Sequence, residues 1–148
     1  MRIAVAADEP GDVDAWIVHE LGRLGHEVVR MGALADGAEH PWAKLAEQVV
    51  QRIPGDVEEA VLICWTGTGV SIAANKISGV RAALCGDATT AAAARVWNHA
   101  NVLCLSHRTL SKDLATEILE AWFRPYDRQK GAEGVAILGE LDRRNKRG

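Results

Sequence analysis

Several things are scarce in this chain, and each scarcity closes off a class of protein. No uninterrupted apolar run approaches the roughly 18 residues of a membrane-spanning helix, so no membrane partner is expected. Cysteine is limited to three residues, Cys64, Cys85 and Cys104, an odd number without Cys-x-x-Cys spacing, which argues against a disulfide framework. The five histidines do not pair at helical ligand spacing, so no metal site is expected either. No signal-peptide pattern precedes the first strand-like run, and a reducing cytoplasm is the compartment these cysteines fit. Charge of one sign is also scarce. A net charge of -3 makes no field for a polyanion, which argues against nucleic acid as the main partner. There is no low-complexity segment.

What is present is ordinary globular composition, 48% hydrophobic and 25% charged, in 148 residues that suit a single domain, 1–148. Short apolar runs of β character at Arg2 to Ala7, Glu27 to Met31, Ala60 to Cys64, Val80 to Cys85 and Asn101 to Leu105 alternate with helical patterns. The helices are expected at Asp14 to Leu24, with Trp16, Ile17, Leu21 and Leu24 on one face, then Pro41 to Ile53, Val70 to Lys76, Thr89 to Val96, Leu110 to Trp122 and Gly134 to Arg144. Five strands alternating with helices predict an α/β fold: a Rossmann-like, three-layer α/β/α sandwich on a five-stranded parallel sheet with right-handed crossovers. The charged end from Asp142 to Gly148 reads as a solvated terminus.

Ligands of such sheets bind at the carboxyl ends of the strands. That rule brings Asp8, Cys64 to Ser71, Gly86-Asp87 and Ser106-His107-Arg108 to one rim. The most informative stretch is Leu62 to Lys76, where an apolar strand ends at a cysteine, passes a Gly/Thr turn and enters an Ala-rich helix. The first N–H groups and positive end of such a helix face whatever sits above the strand tip, and they favour negative charge there, a thiolate included. Gly67 and Gly69 allow close approach, while Thr66, Thr68 and Ser71 add hydroxyl donors. The run has neither the spacer of a phosphate-binding P-loop nor the third glycine of a dinucleotide fingerprint. Taken alone it leaves two readings open, an anion-binding catalytic loop or a packed core cysteine beside a Gly-rich turn.

The segment Cys64 to Lys76, followed by Gly79-Val80-Arg81-Ala82, resembles the signature of type B ribose-5-phosphate isomerases and their galactose-6-phosphate isomerase relatives. Ile3 to Asp8, Arg95 to Asn98, Asn101 to Leu103 and Arg108 extend the resemblance over the whole chain. It implies an aldose–ketose isomerase that works without metal or organic cofactor, through an enediolate, as a homodimer or homotetramer. The small-molecule partner is then a sugar or sugar phosphate. Carried over residue by residue, Cys64 is the base and Thr66 acts on the neighbouring hydroxyl. The amides from Gly67 through Thr68, Gly69 and Val70 to Ser71 hold the enediolate oxygens, Asp8 and Asn98 bind sugar hydroxyls, and Arg108 serves the far end or its phosphate. The C-terminal helix, about 133–145, is expected to pack on a partner subunit.

Departures from the family pattern point to a changed substrate. Glu9 stands where the family has a histidine, and Trp97 stands where it has the histidine credited with ring opening. Indole cannot shuttle a proton, although Trp97 could stack on a sugar face. The phosphate-gripping Arg-His-x-x-Arg cluster is reduced to Arg128 and Lys130 with Glu133 beside them, and Glu9 and Glu133 each oppose a phosphate dianion by about 1 kcal/mol. Trp65 beside the base replaces a small residue and narrows the pocket. The expected function is therefore isomerisation of a sugar or sugar phosphate other than ribose 5-phosphate. Two alternatives remain, a non-catalytic metabolite binder on the same scaffold and a genuine ribose-5-phosphate isomerase.

Overall fold

The computed structural model describes residues 1–145, so Lys146, Arg147 and Gly148 of the charged end lie outside the described residues. Strands β1 (Arg2–Ala7), β2 (Glu27–Gly32), β3 (Glu59–Cys64), β4 (Ala82–Leu84) and β5 (Val102–Ser106) form one parallel sheet in the order β2-β1-β3-β5-β4. The fold class expected from the alternation of strands and helices is the one observed. Each strand puts alternate residues on opposite faces, which is why the sheet needs cover on both. Ile3, Val5, Val61, Ile63, Leu103 and Leu105 point into a core shared with α1 (Asp14–Arg23), α5 (Ala88–Asn98) and α6 (Lys112–Trp122). Ala4, Ala6, Leu62, Cys64 and Cys104 face the other core, closed by α3 (Trp42–Val50) and α4 (Thr68–Ala74).

Several expected boundaries move, each for a local reason. The fourth strand is shorter than Val80 to Cys85, because Val80 N–H closes a turn on the Ile77 carbonyl. The Asn75 side chain then holds both backbone groups of Ala82, at 2.8 and 2.9 Å, as a neighbouring strand would. The third helix stops at Val50 rather than Ile53, since Pro54 disfavours helical backbone at the residue before it. The helix expected at Val70 to Lys76 begins two residues earlier, immediately after Gly67 adopts a left-handed φ of 76°. The helix expected from Leu110 starts at Lys112, where the Ser111 hydroxyl accepts the Leu114 N–H at 3.1 Å. One element is new, the four-residue α2 (Ala33–Asp36) between Gly32 and Gly37, too short for any periodicity to register.

The last helix, α7 (Ala132–Asn145), packs on α5 outside the sheet and buries none of its described residues. Among the described residues no helix is long and apolar enough to cross a membrane.

Candidate active site

Cys64 is the last residue of β3, and the ladder continues past it on both sides. Asp8 N–H reaches the Ile63 carbonyl, His107 N–H the Cys64 carbonyl at 2.9 Å and Arg108 N–H the Trp65 carbonyl at 3.0 Å. The Ser106 hydroxyl donates a second bond to the Trp65 carbonyl at 2.8 Å. The strand tip is thereby fixed between the β1 and β5 loops. Gly67 turns the chain into α4 with its Cα against the neighbouring strands; a Cβ there would lie 2.5 Å from Leu84 Cδ1 and 3.0 Å from the Leu105 carbonyl oxygen. Both the positive φ and the contact demand glycine.

A cleft of about 270 Å³ opens above this turn, lined by Asp8, Trp42, Cys64, Trp65, Thr66, Thr68 and Gly69. The Thr66 and Thr68 hydroxyls meet at 2.6 Å. Ser71 N–H is bonded to the Gly67 carbonyl, so the orphan donors of the α4 terminus are the N–H groups of Thr68, Gly69 and Val70. The Val70 side chain is buried in the core beneath, leaving only its backbone available. Asp8 Oδ1 is buried without a hydrogen-bond partner, and burial, followed by the nearby Glu9 charge, raises its carboxyl above the ordinary range. That oxygen borders the cleft, where a ligand hydroxyl can reach it.

The three thiols differ. Burial pushes Cys85 up to about 12 and Cys104 further still, so neither supplies a thiolate near neutrality. Cys64 alone lines the cleft.

A second cleft, of about 230 Å³, lies on the far side of Trp65 and is lined by Glu9 to Val13, Trp65, His107 and Leu110. His107 Nε2 donates to Asp14 Oδ1 at 2.7 Å, and Asp14 Oδ2 accepts the Gly11 N–H at 2.8 Å. The hydrogen bond to Asp14 raises the His107 pKa, against the effect of burial. Arg108 is exposed at the same rim.

Trp97, Asn98, Arg128 and Lys130 are not at this end of the sheet, the last two preceding Gly131, which abuts the Val96 and Trp97 carbonyls. Cys64 pairs in register with Ser106 at the carboxyl end of β5, whereas Trp97 and Asn98 precede the start of that strand at Val102. Four strand residues at roughly 3.3 Å each put about 13 Å of sheet between the two groups. Asn98 lines a separate cavity of about 420 Å³ with Asn75, Arg81, Leu138 and Leu141. The Arg128 guanidinium lies 4.9 Å from the Tyr126 ring on the loop after α6.

Sequence reasoning reached the rim but gave no role to Trp42 or to the His107–Asp14 pair. Trp42 covers the anion loop so closely that a Cβ on Gly69 would lie 3.0 Å from its indole. Asp14 opens a helix, where a carboxylate is expected on dipole grounds alone, and it stands 93 residues from His107. No local pattern connects them.

Comparison with known proteins follows the same lines as this geometry. Residues 3–137 match the family model described as Ribose/Galactose Isomerase. Ribose-5-phosphate isomerase B of Escherichia coli is 33% identical over 147 residues, 97% of each chain. D-erythrulose-4-phosphate isomerase of Pectobacterium atrosepticum is 34% identical over 124 residues, 82% of each chain. Ribose-5-phosphate isomerase B of Clostridium thermocellum superposes with a TM-score of 0.89 at 30% identity, covering 98% of this chain and 99% of that one.

Proposed function

The chain belongs to the ribose/galactose isomerase family, as a sugar phosphate isomerase interconverting aldose and ketose, and we propose that its substrate is an open-chain four-carbon sugar 4-phosphate, with Cys64 as the base. The observation that carries this reading is the cleft at the tip of β3, where one thiol, two hydroxyls and an orphaned carboxylate oxygen converge beside unpaired helix donors. In that arrangement Cys64 takes the proton next to the substrate carbonyl and returns it to the neighbouring carbon. Thr66 and Thr68 serve the oxygens between which the hydroxyl proton moves, and the N–H groups of Thr68, Gly69 and Val70 hold the enediolate. Asp8 Oδ1 accepts a substrate hydroxyl.

The choice of a four-carbon sugar rests on chemistry at Trp97. A pentose 5-phosphate keeps a free hydroxyl at C4 and closes a five-membered ring that must be opened before isomerisation. A tetrose 4-phosphate has that oxygen esterified and stays open. An enzyme for such a substrate has no need of an acid–base group where Trp97 stands. The relative from Pectobacterium atrosepticum is named for this kind of substrate, D-erythrulose 4-phosphate.

Trp97, Asn98, Arg128 and Lys130 enter this reading through a second copy of the chain. On α7, Ile137, Leu138 and Leu141 are 50%, 38% and 41% exposed, an apolar face that one copy leaves uncovered. A homodimer or homotetramer covers it and brings residues from the far end of one sheet toward the cleft of another. A metabolic isomerase with three free thiols fits the cytoplasm.

The test is proton exchange in deuterated water, followed by NMR, with D-erythrulose 4-phosphate, ribose 5-phosphate and the corresponding unphosphorylated sugars. Exchange with erythrulose 4-phosphate, abolished by Cys64→Ala while ligand binding persists, is the expected result. Substantial turnover left in Cys64→Ala removes Cys64 as the base. Exchange with ribose 5-phosphate alone replaces the substrate, and no exchange across the panel favours a binding protein.

A further inference from the structure

We propose that His107, held by Asp14, binds the terminal phosphate of the substrate, with Arg108 beside it. This rests on the reading above for where the reacting end of the substrate lies. The charges that one copy of the chain places at the rim narrow where the anion can go. Asp8, Glu9, Asp12 and Asp87 are carboxylates at or next to the strand ends, and residues 64–71 carry no basic side chain. His40 is engaged by Asp36 at 2.9 Å, and Lys112, in the first turn of α6, lies over the Trp16 ring at 5.4 Å. Arg30 is exposed on the far side of Gly11 and Asp14, away from Trp65, which leaves His107, bound to Asp14 through Nε2 alone, and Arg108, consecutive at the end of β5, as the basic residues beside the cleft. Trp65 lines both the cleft over Cys64 and the cleft bordered by His107, so the two adjoin at its exposed side chain.

The ring of His107 is fixed before any ligand arrives. It lies on Gly11 so tightly that a Cβ at that position would be 2.3 Å from Nε2. Asp14 takes Nε2 and is itself held by Gly11 N–H. Nδ1 makes no hydrogen bond among the described residues and is not one of the buried orphaned atoms. One nitrogen is thus anchored and the other is left for a ligand, the arrangement that presents an oriented N–H at no further conformational cost. The charged groups facing the ring are Asp14, Asp8 and Glu9, all of which favour its protonated form, with Asp12 on the same cleft and Arg108 on its own loop. When protonated, the form these carboxylates favour, the ring offsets the Glu9 charge that otherwise opposes a phosphate, and its hydrogen bond to an anion is of the stronger, charge-assisted kind.

Two measurements separate this proposal from the choice of sugar. In the full ¹⁵N-labelled chain at neutral pH, inorganic phosphate is expected to move the Nδ1 resonance of His107 saturably, with the signal assigned by its loss in His107→Gln. A resonance that stays still overturns the proposal whatever the enzyme isomerises. With erythrulose 4-phosphate as substrate, His107→Gln is expected to raise KM about ten-fold or more while kcat stays within about three-fold. Asp14→Asn should make KM begin its rise at lower pH than in the unaltered chain. A fall in kcat at constant KM, or a lower Tm with KM unmoved, assigns His107 to chemistry or to packing and overturns the proposal. If the unaltered chain does not turn over erythrulose 4-phosphate, the substrate reading fails and the phosphate titration alone decides the role of His107.

Discussion

The two ends of one sheet hold buried carboxylates in opposite conditions. At the amino end Glu59 begins β3 with both oxygens occupied, Oε2 by Arg95 at 2.8 Å and Oε1 by the Trp122 indole N–H at 3.0 Å. Arg95 in turn bonds the Ala100 carbonyl and lies over the rings of Trp122 and Tyr126. At the carboxyl end Asp8 closes β1 with one buried oxygen that meets nothing. A satisfied buried network holds elements together, whereas an unsatisfied group is tolerated where a ligand completes it. The Glu59 carboxylate is closed at the base, where Arg95 Nε and His99 Nε2 are themselves buried without a partner, and the Asp8 oxygen is open at the rim beside the thiol and the free helix donors.

Breaking the closed end should give the largest effect. Arg95→Met removes the partner of a carboxylate that is itself nearly inaccessible, and the expected loss is about 3–5 kcal/mol, read from urea unfolding. The double variant Arg95→Met/Glu59→Gln should recover most of that loss, since it removes the charge that the single change strands. A single variant as stable as the unaltered chain would place this pair outside the fold's supports.

At the open end the order of effects should reverse. Asp8→Asn is nearly isosteric and replaces a carboxylate that burial already disfavours as an anion. Stability should hold or rise slightly. kcat/KM should fall about thirty-fold, on the order of 2 kcal/mol of lost hydrogen bonding to a charged group. Loss of stability without loss of activity would make Asp8 a structural residue like Glu59 and dissolve the contrast between the two ends.

The same contrast explains what the sequence made legible. The open end is built from strand tips, and the rule that ligands sit there brought Asp8, the Cys64 to Ser71 turn and Arg108 together without coordinates. The five strands follow from short apolar runs of β character, and the main helices from period 3.6. Edge β4 was overextended because Asn75 imitates a neighbouring strand, a contact between a side chain and a backbone that no pattern of hydrophobicity records. The resemblance gives Trp97 and Asn98 substrate-binding roles, and α5 carries them down the sheet to its base, so one copy of the chain does not bring them to its own rim. Periodicity finds a helix without saying which end of it a residue occupies relative to a cleft. The His107–Asp14 pair was out of reach for a related reason, since each residue has an ordinary local explanation and the pair exists only after the β1 and β5 loops meet.

That pair provides the smallest and finest test of the comparison, because it is a satisfied ion pair placed at the open end. Asp14 raises the His107 pKa above its unfolded value. A raised histidine contributes stability that is fully present below the unfolded pKa of about 6.5 and is lost as pH rises through the folded one. Unfolding free energy should therefore decline from slightly acid to alkaline pH, and Asp14→Asn should flatten that slope. His26 is lowered by burial and acts in the opposite sense, losing stability as pH falls, but it is common to both chains and cancels in their difference. If the slope survives in Asp14→Asn, the histidine is not held by Asp14, and the rim contains no closed element. If it flattens while inorganic phosphate restores stability at neutral pH to the unaltered chain but not to His107→Gln, the pair belongs to both ends of the comparison. It would then be tied within the fold through Nε2 and open to a ligand through Nδ1.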